Sequence, residues 1–498
     1  MELTGKYKRQ FGKHQLTALI GYSYEDNYYQ FSSAQNRGFI TDIFGYNNLS
    51  AGENLFPNDV NSDKNMNRLI SFFGRLNYSF RDKYIFTGTV RRDGSSVFGK
   101  NNKWGTFPSA SFAWRVSEEP FLHSSRILSD LKLRIGYGVV GNQDGIGPYN
   151  SIALYGRSDE FWDNGQWHNS YKYAQNDNPN LKWEQTASFN PGIDFGFFNG
   201  RLSGTFDYYI KKTSNLLYTY SVPVPPNLYP TILANVGDMS NKGFEMLINA
   251  DVIRRRDLRW TVSVNFAHNK NTVTRLSNDV YQAASIKTGG ISLRGSGGTT
   301  THIVEEGQEV GTFFGWKCLG LDKDGKYIME DRNKDGEIND LDRTYIGHAM
   351  PRLTYGISNT FVYRNFELNV FFRGVYGNDV LNNPSLQYGN IQWLPGSNVL
   401  REALTNGIHD SPKYSSYYIQ KGSFLRLDNV SLGYNFDLHQ SRSFKKCNVF
   451  VSAQNLFLIT RYKGADPEVN VGGLSPGVAE DSFIPRSKTF TVGLNASF

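Results

Sequence analysis

The sequence predicts an all-β protein, an antiparallel transmembrane β-barrel with long extracellular loops. Three observations predict it. Apolar and polar residues alternate strictly in many segments, the links between segments switch between short and long, and aromatics are abundant without any long apolar run. The 498 residues are 39% hydrophobic with a mean hydropathy of -0.48, yet 15% are aromatic, with 30 Tyr, 35 Phe and 49 Gly. No segment approaches the roughly 18–20 apolar residues of a membrane helix. A barrel strand shows lipid only every second residue, so its average hydropathy stays low. A secreted β-rich protein shares this composition, and patterning has to separate the two.

The strand pattern starts near His14–Tyr29. Leu202, Gly204, Phe206 and Tyr208 alternate with Arg201, Ser203, Thr205 and Asp207. Leu258, Trp260, Val262, Val264 and Phe266 alternate with Arg259, Thr261, Ser263 and Asn265, and Phe366, Leu368, Val370 and Phe372 with Glu367, Asn369, Phe371 and Arg373. In the last segment Phe490, Val492, Leu494, Ala496 and Phe498 alternate with Thr489, Thr491, Gly493, Asn495 and Ser497. Period two puts each set on one face of a strand. A face carrying Arg, Glu, Asn and Asp suits a water-filled lumen better than a dry core. The aromatic last residue, Phe498, is the ending typical of outer-membrane barrels.

Short links are expected near Arg81-Asp82, Asn199-Gly200, Arg254–Asp257, Tyr363–Asn365 and Leu438–Ser443, with Ser117–Ser129 as a longer one on the same side. Long links are expected near Ser33–Asn65, Asn142–Lys182, Ser277–Met350, Asn378–Lys421 and Lys463–Ser482. Short periplasmic turns and long outer loops give this asymmetry, with about fourteen spanning strands. No low-complexity linker or repeat interrupts the chain, so residues 1–498 read as one domain.

The net charge is +7 with pI ≈ 9.0, but the cations are scattered among 46 acids, so no nucleic-acid partner is expected. Cys318 and Cys447 match no metal or redox spacing and read as packing residues. Met1–Ile20 has neither the apolar core nor the cleavage site of a signal peptide.

Several segments resemble the SusC/RagA-type TonB-dependent transporters of Bacteroidetes: Arg92–Ser96 with Phe98-Gly99, Phe107-Pro108-Ser109, Asn178–Glu184, Gly192–Gly196, Phe206–Tyr209, Asn235-Val236-Gly237, Asn241–Glu245, Phe424–Tyr434 and Ala453–Phe457. The resemblance implies a barrel of about 22 strands around a plug. It also implies a SusD-like surface lipoprotein as lid, glycan or peptide cargo, and coupling to the TonB complex through an N-terminal part. This sequence is expected to lack that part, together with the plug and first strands, and so to be unable to carry out energised import alone, pairing with a partner chain or inserting incompletely.

Asp331, Asn333, Asp335, Glu337 and Asp342 follow the spacing of a twelve-residue calcium loop, with Gly336 at its turn and Glu337 offering a backbone carbonyl. An Asx-rich turn is the alternative reading. Trp162, Trp167, Tyr171 and Tyr173, beside Asp163, Asn164 and Asn169, are candidate cargo contacts, because sugar rings stack on aromatic faces and hydrogen-bond at their edges. Tyr388 and Trp393 with Asn390 form a second candidate group. No catalytic constellation emerges: the eight histidines make no HExxH. The leading reading is therefore an importer barrel and not an enzyme, against a secreted glycan-binding protein or hydrolase.

Overall fold

The computed structural model describes residues 1–498 except 57–58, 123–124, 279, 296, 437–445, 482–483 and 498. Fifteen antiparallel strands form one sheet in strict chain order: β1 (Glu2–Phe11), β2 (His14–Ala34), β3 (Val60–Phe80), β4 (Tyr84–Ser95), β5 (Trp104–Arg115), β6 (Leu128–Asn142), β7 (Glu184–Phe197), β8 (Leu202–Ser221), β9 (Thr231–Arg254), β10 (Leu258–Arg275), β11 (Leu353–Tyr363), β12 (Phe366–Tyr376), β13 (Phe424–Phe436), β14 (Lys446–Thr460) and β15 (Thr489–Ser497). The expected wall is present with one strand more than the count of about fourteen. The extra strand is β1, whose Lys6, Lys8 and Arg9 obscure its alternation. Its register with β2 pairs Leu3 with Tyr22, Tyr7 with Ala18 and Phe11 with His14, so the apolar residues share one face after all. The terminal Phe498 and the link 437–445 lie outside the described residues.

Cross-strand register carries one apolar face around the wall. Leu494 pairs with Val449, Val449 with Tyr434, Tyr434 with Phe366 and Phe366 with Tyr363. Further round, Phe361 pairs with Trp260 and Val264 with Ile248. Paired residues point the same way, so this is the lipid face. Near the short links it carries an aromatic belt: Phe80–Tyr84 at 6.3 Å, Tyr84–Trp114 at 6.4 Å, Trp260–Phe361 at 5.2 Å and Phe366–Tyr434 at 4.8 Å. Amphipathic rings settle at a membrane–water interface, which marks this as the inner rim.

The other face is polar and ion-paired. Arg134 of β6 meets Asp194 of β7 at 2.7 Å and Asp207 of β8 at 2.9 Å. Gly192 lets them converge, since a Cβ there would lie 2.4 Å from the Asp207 carboxylate. Arg373 of β12 meets Asp428 and Glu468, each at 2.7 Å.

The long links are less loop-like than expected. The link 35–59 is shorter than Ser33–Asn65, because β2 and β3 each run 21 residues, beyond the roughly 9–11 a bilayer requires. The links 96–103 and 222–230 lie on the same side as the long ones but are no longer than the inner link 116–127. Within 276–352 a four-stranded sheet forms from Ser285–Leu293, Gly297–Glu305, Thr312–Gly315 and Thr344–His348. The strands Cys318–Leu321 and Tyr327–Met329 pair as a hairpin that turns at Asp322–Gly325. These pieces and the link 377–423 share a core of Phe313, Leu381, Leu386, Ile408, Tyr414 and Tyr418. His302 is fully buried there; its Nε2 donates to the Pro476 carbonyl at 2.8 Å, which ties in the link 461–488. Burial holds the imidazole neutral, pushing its pKa down to about 4.

Candidate functional site

The mouth of the wall is built from segments far apart in sequence. Phe98, Phe107, Leu181 and Trp183 pack into one cluster, with Trp183 4.4 Å from Phe98 and 5.4 Å from Phe107. Gly99 approaches so closely that a Cβ would lie 2.2 Å from the Pro179 carbonyl oxygen. Asn235 clamps the next turn: its Oδ1 accepts from Lys182 N at 2.9 Å and its Nδ2 donates to Lys182 O at 2.7 Å. Asn178 donates to the Leu233 carbonyl at 2.8 Å. The sequence segments that carry the family resemblance are thus contact partners that brace one rim of the mouth.

Trp162, Trp167, Tyr171 and Tyr173 were expected in a loop, and they lie instead on a β-hairpin of Leu154–Asp163 and Gln166–Gln175. Asn164 and Gly165 make the turn with φ of 47° and 82°, the left-handed pair a tight hairpin requires. Alternation places Trp167, Asn169, Tyr171 and Tyr173 on one face, opposite Trp162, Glu160, Arg157 and Tyr155 across the register shift. Trp162 and Trp167 meet edge to face at 5.3 Å, and the tilted rings of Tyr155 and Tyr173 lie 4.3 Å apart. Trp162 is 58% exposed, Trp167 64% and Tyr171 68%, so the ribbon shows aromatic rings to solvent on either side of the Glu160–Asn169 pair. The sequence candidates are brought together here.

Tyr388 and Trp393 come out differently. The Arg294 guanidinium lies 5.5 Å from the Tyr388 ring and 4.9 Å from the Trp393 ring. Asn390 is buried, with its Oδ1 accepting from Gln392 N at 2.9 Å. Both rings face this one cation.

The candidate calcium loop makes the sharp turn its spacing implies, with Lys334 at φ 58° and Gly336 at φ 85°. The side chains of Asp331, Asn333, Asp335 and Asp342 hydrogen-bond within the loop. Asp331 accepts from Lys334 N at 2.7 Å and Gly336 N at 2.9 Å. Asn333 donates to Asp335 at 2.7 Å, and Asp335 accepts from Glu337 N at 2.8 Å. Asp342 is fully buried and accepts from Arg332 N at 2.8 Å and Asn339 N at 2.9 Å. Those amide hydrogens hold its carboxyl below the usual range, Asn339 first. Among the described residues no three acidic, His or Cys side chains gather as a metal cluster.

What Asp342 positions is its neighbour. Arg343 is buried under Phe314 and Trp316, at 5.1 and 5.0 Å from their rings, and donates to the Thr300 and Phe314 carbonyls at 2.6 and 2.7 Å. With Lys287, Lys413, Trp316, Tyr327 and Tyr414 it lines a cavity of about 610 Å³, a size that admits a small ligand. No sequence signal pointed to this cavity, because its lining comes from separate links.

Comparison with known proteins agrees with this architecture. Residues 3–456 match the family described as TonB dependent receptor-like, β-barrel. The TonB-dependent receptor P3 of Formosa agariphila is 34% identical over 99% of this chain and 51% of its own length. The TonB-dependent receptor SusC of Bacteroides thetaiotaomicron is 36% identical over 87% of this chain and 44% of its own. The chain spans about half the length of the curated relatives it matches. Among solved structures, the RagAB peptide transporter superposes with a TM-score of 0.82 at 27% identity, covering 100% of this chain and 55% of that one.

Proposed function

Because this chain belongs to the TonB dependent receptor-like β-barrel family, as a receptor of the SusC/RagA type in the outer membrane, we propose that it forms the cargo-contacting mouth and much of the wall of a nutrient importer. Its relatives are receptors and transporters, not enzymes. We propose large cargo of the glycan or peptide class, a SusD-like lipoprotein over the mouth, and energy from TonB through the remainder of the protein. The observation that carries the cargo reading is the exposed aromatic face of Trp162, Trp167 and Tyr171 on a projecting hairpin. Flat aromatic faces beside Asn169 offer stacking to sugar rings or apolar peptide side chains, with an amide for their polar edges. The likeness to SusC and to the RagAB peptide transporter supports the same class.

The test is uptake of fluorescent oligosaccharide and peptide libraries by cells carrying the complete receptor. We expect uptake that stops when the proton-motive force is collapsed and falls several-fold in Trp162→Ala/Trp167→Ala. Uptake indifferent to both treatments would overturn the reading.

A further inference from the structure

We propose that a groove on the outside of the barrel, at the outer rim of β11–β14, holds the phosphate of an outer-leaflet lipid. A cavity of about 740 Å³ lies there, within the range of ligand pockets. Register decides which side of the wall it is on. Tyr355 pairs with Gly374, Gly374 with Leu425, and Leu425 with Ile459. Gly374 lies on the same alternating face as Phe366, Leu368 and Val370, so Tyr355, Leu425 and Ile459 all face lipid. Tyr376 joins them two residues on, and it is 63% exposed, with Ile459 61% exposed.

Height follows from strand geometry. Phe366 belongs to the inner aromatic belt, and Tyr376 ends the same strand. A rise of about 3.3 Å per residue and a tilt of about 35–45° put them roughly 25 Å apart along the membrane normal, the height of the apolar band. Tyr376 therefore stands at the outer interface, and the residues just beyond the strand ends stand at headgroup level.

Those residues are cations. Arg352 precedes β11, Lys421 precedes β13, and Arg461 follows β14; all three line the groove, with His348 behind them. The groove contains one carboxylate, Asp379, and it is engaged: Lys421 Nζ donates to it at 2.8 Å and His348 N at 3.0 Å. Neither Arg352 nor Arg461 is ion-paired among the described residues, and the buried Nδ1 of His348 has no partner there. Two arginines without counter-charge among the described residues, directly above exposed Tyr376 and Ile459 and half-buried Leu425, match the chemistry of a phosphorylated lipid. The phosphate meets the guanidinium groups and the acyl part runs down the apolar strip. A soluble cargo anion would gain nothing from that strip. The inference is independent of the cargo.

The test is native mass spectrometry of the receptor purified in a neutral detergent. It is titrated with monophosphoryl lipid A and with the dephosphorylated lipid, and inorganic phosphate is used as competitor. We expect at least about a tenfold preference for the phosphorylated lipid, the size of one charge-assisted contact. In Arg352→Gln/Arg461→Gln the preference should fall to within about twofold, while the barrel keeps its heat-modifiable migration. If that variant fails to fold, the single change Arg461→Gln, at an exposed position just beyond β14, should lower the preference without affecting the barrel. Equal binding of the two lipids, or an unchanged preference in the folded variants, overturns the proposal. Complete displacement by inorganic phosphate overturns it in favour of a free-anion site.

Discussion

Asp342 ends a stretch whose spacing reads as a calcium loop, and its carboxylate accepts amide hydrogens from both sides of that loop. Removing it frees Arg332 and Asn339 amides and releases the turn that carries Arg343. We predict that Asp342→Ala raises protease cleavage between residues 277 and 350, with or without calcium. Calcium occupancy of Asp331, Asn333, Asp335, Glu337 and Asp342 is a proposal carried by spacing alone. Cleavage of the wild type that calcium suppresses and a chelator restores would assign the ion, and cleavage indifferent to both would leave the turn self-sufficient. At this scale the sequence was legible for the turn at Asp331–Gly336, which bends as its residue types require, but not for the tight turn at Asn164-Gly165, whose hairpin was expected as loop. It was not legible for the cation that Tyr388 and Trp393 face. Their cation, Arg294, is about a hundred residues away, and nothing in local spacing announces it.

At the scale of elements, alternation separated lipid from lumen because the two solvents differ so strongly. Leu494 shares the lipid face with Val449, and its neighbour Asn495 points the other way. We predict that Leu494→Arg costs on the order of 2–4 kcal/mol of barrel stability in a bilayer folding assay, and that Asn495→Arg is much milder. Equal costs would show the facing to be wrong. Alternation failed where strands are very short. Pieces such as Thr312–Gly315 and Tyr327–Met329 are too brief for a period to register, and they pack against partners from other links. His302 gives that packed module a pH dependence. Its folded pKa, about 4, lies below the ordinary value of 6.5, so the unfolded module binds the proton more readily. The stabilisation is complete above pH 6.5 and is lost as pH falls from there toward 4, a change of about 3 kcal/mol in total. Protection factors in residues 285–305, which allow for the slower intrinsic exchange in acid, should therefore fall below about pH 6, and His302→Gln should flatten that dependence. A wild-type profile that stays flat to pH 4 would contradict the assignment.

At the scale of the whole molecule, wall and mouth are separate constructions that must be fastened together. The wall was readable from one period and one alternation of links. The fastening was not, because it joins strands to a link whose sequence carries no period. Arg426 of β13 is the clearest fastener. Its side chain is only 4% exposed, as is that of Asp466 in the link 461–488, and the two meet at 2.7 Å. Glu468, two residues on, bridges to Arg373 at 2.7 Å and to Arg486 at 3.0 Å. The link is thereby drawn over the inner face of the wall. A buried ion pair adds little net stability against a well-packed apolar pair, but losing one member leaves a buried charge without a partner. We therefore predict that Arg426→Met costs about 3–5 kcal/mol and opens residues 461–488 to protease, because Asp466 is stranded. The double change Arg426→Met/Asp466→Leu should recover much of that loss and restore protection, since no charge remains to be solvated. If the double variant were as exposed as the single one, the ion pair itself, and not the removal of an unpaired charge, would be what holds the mouth to the wall.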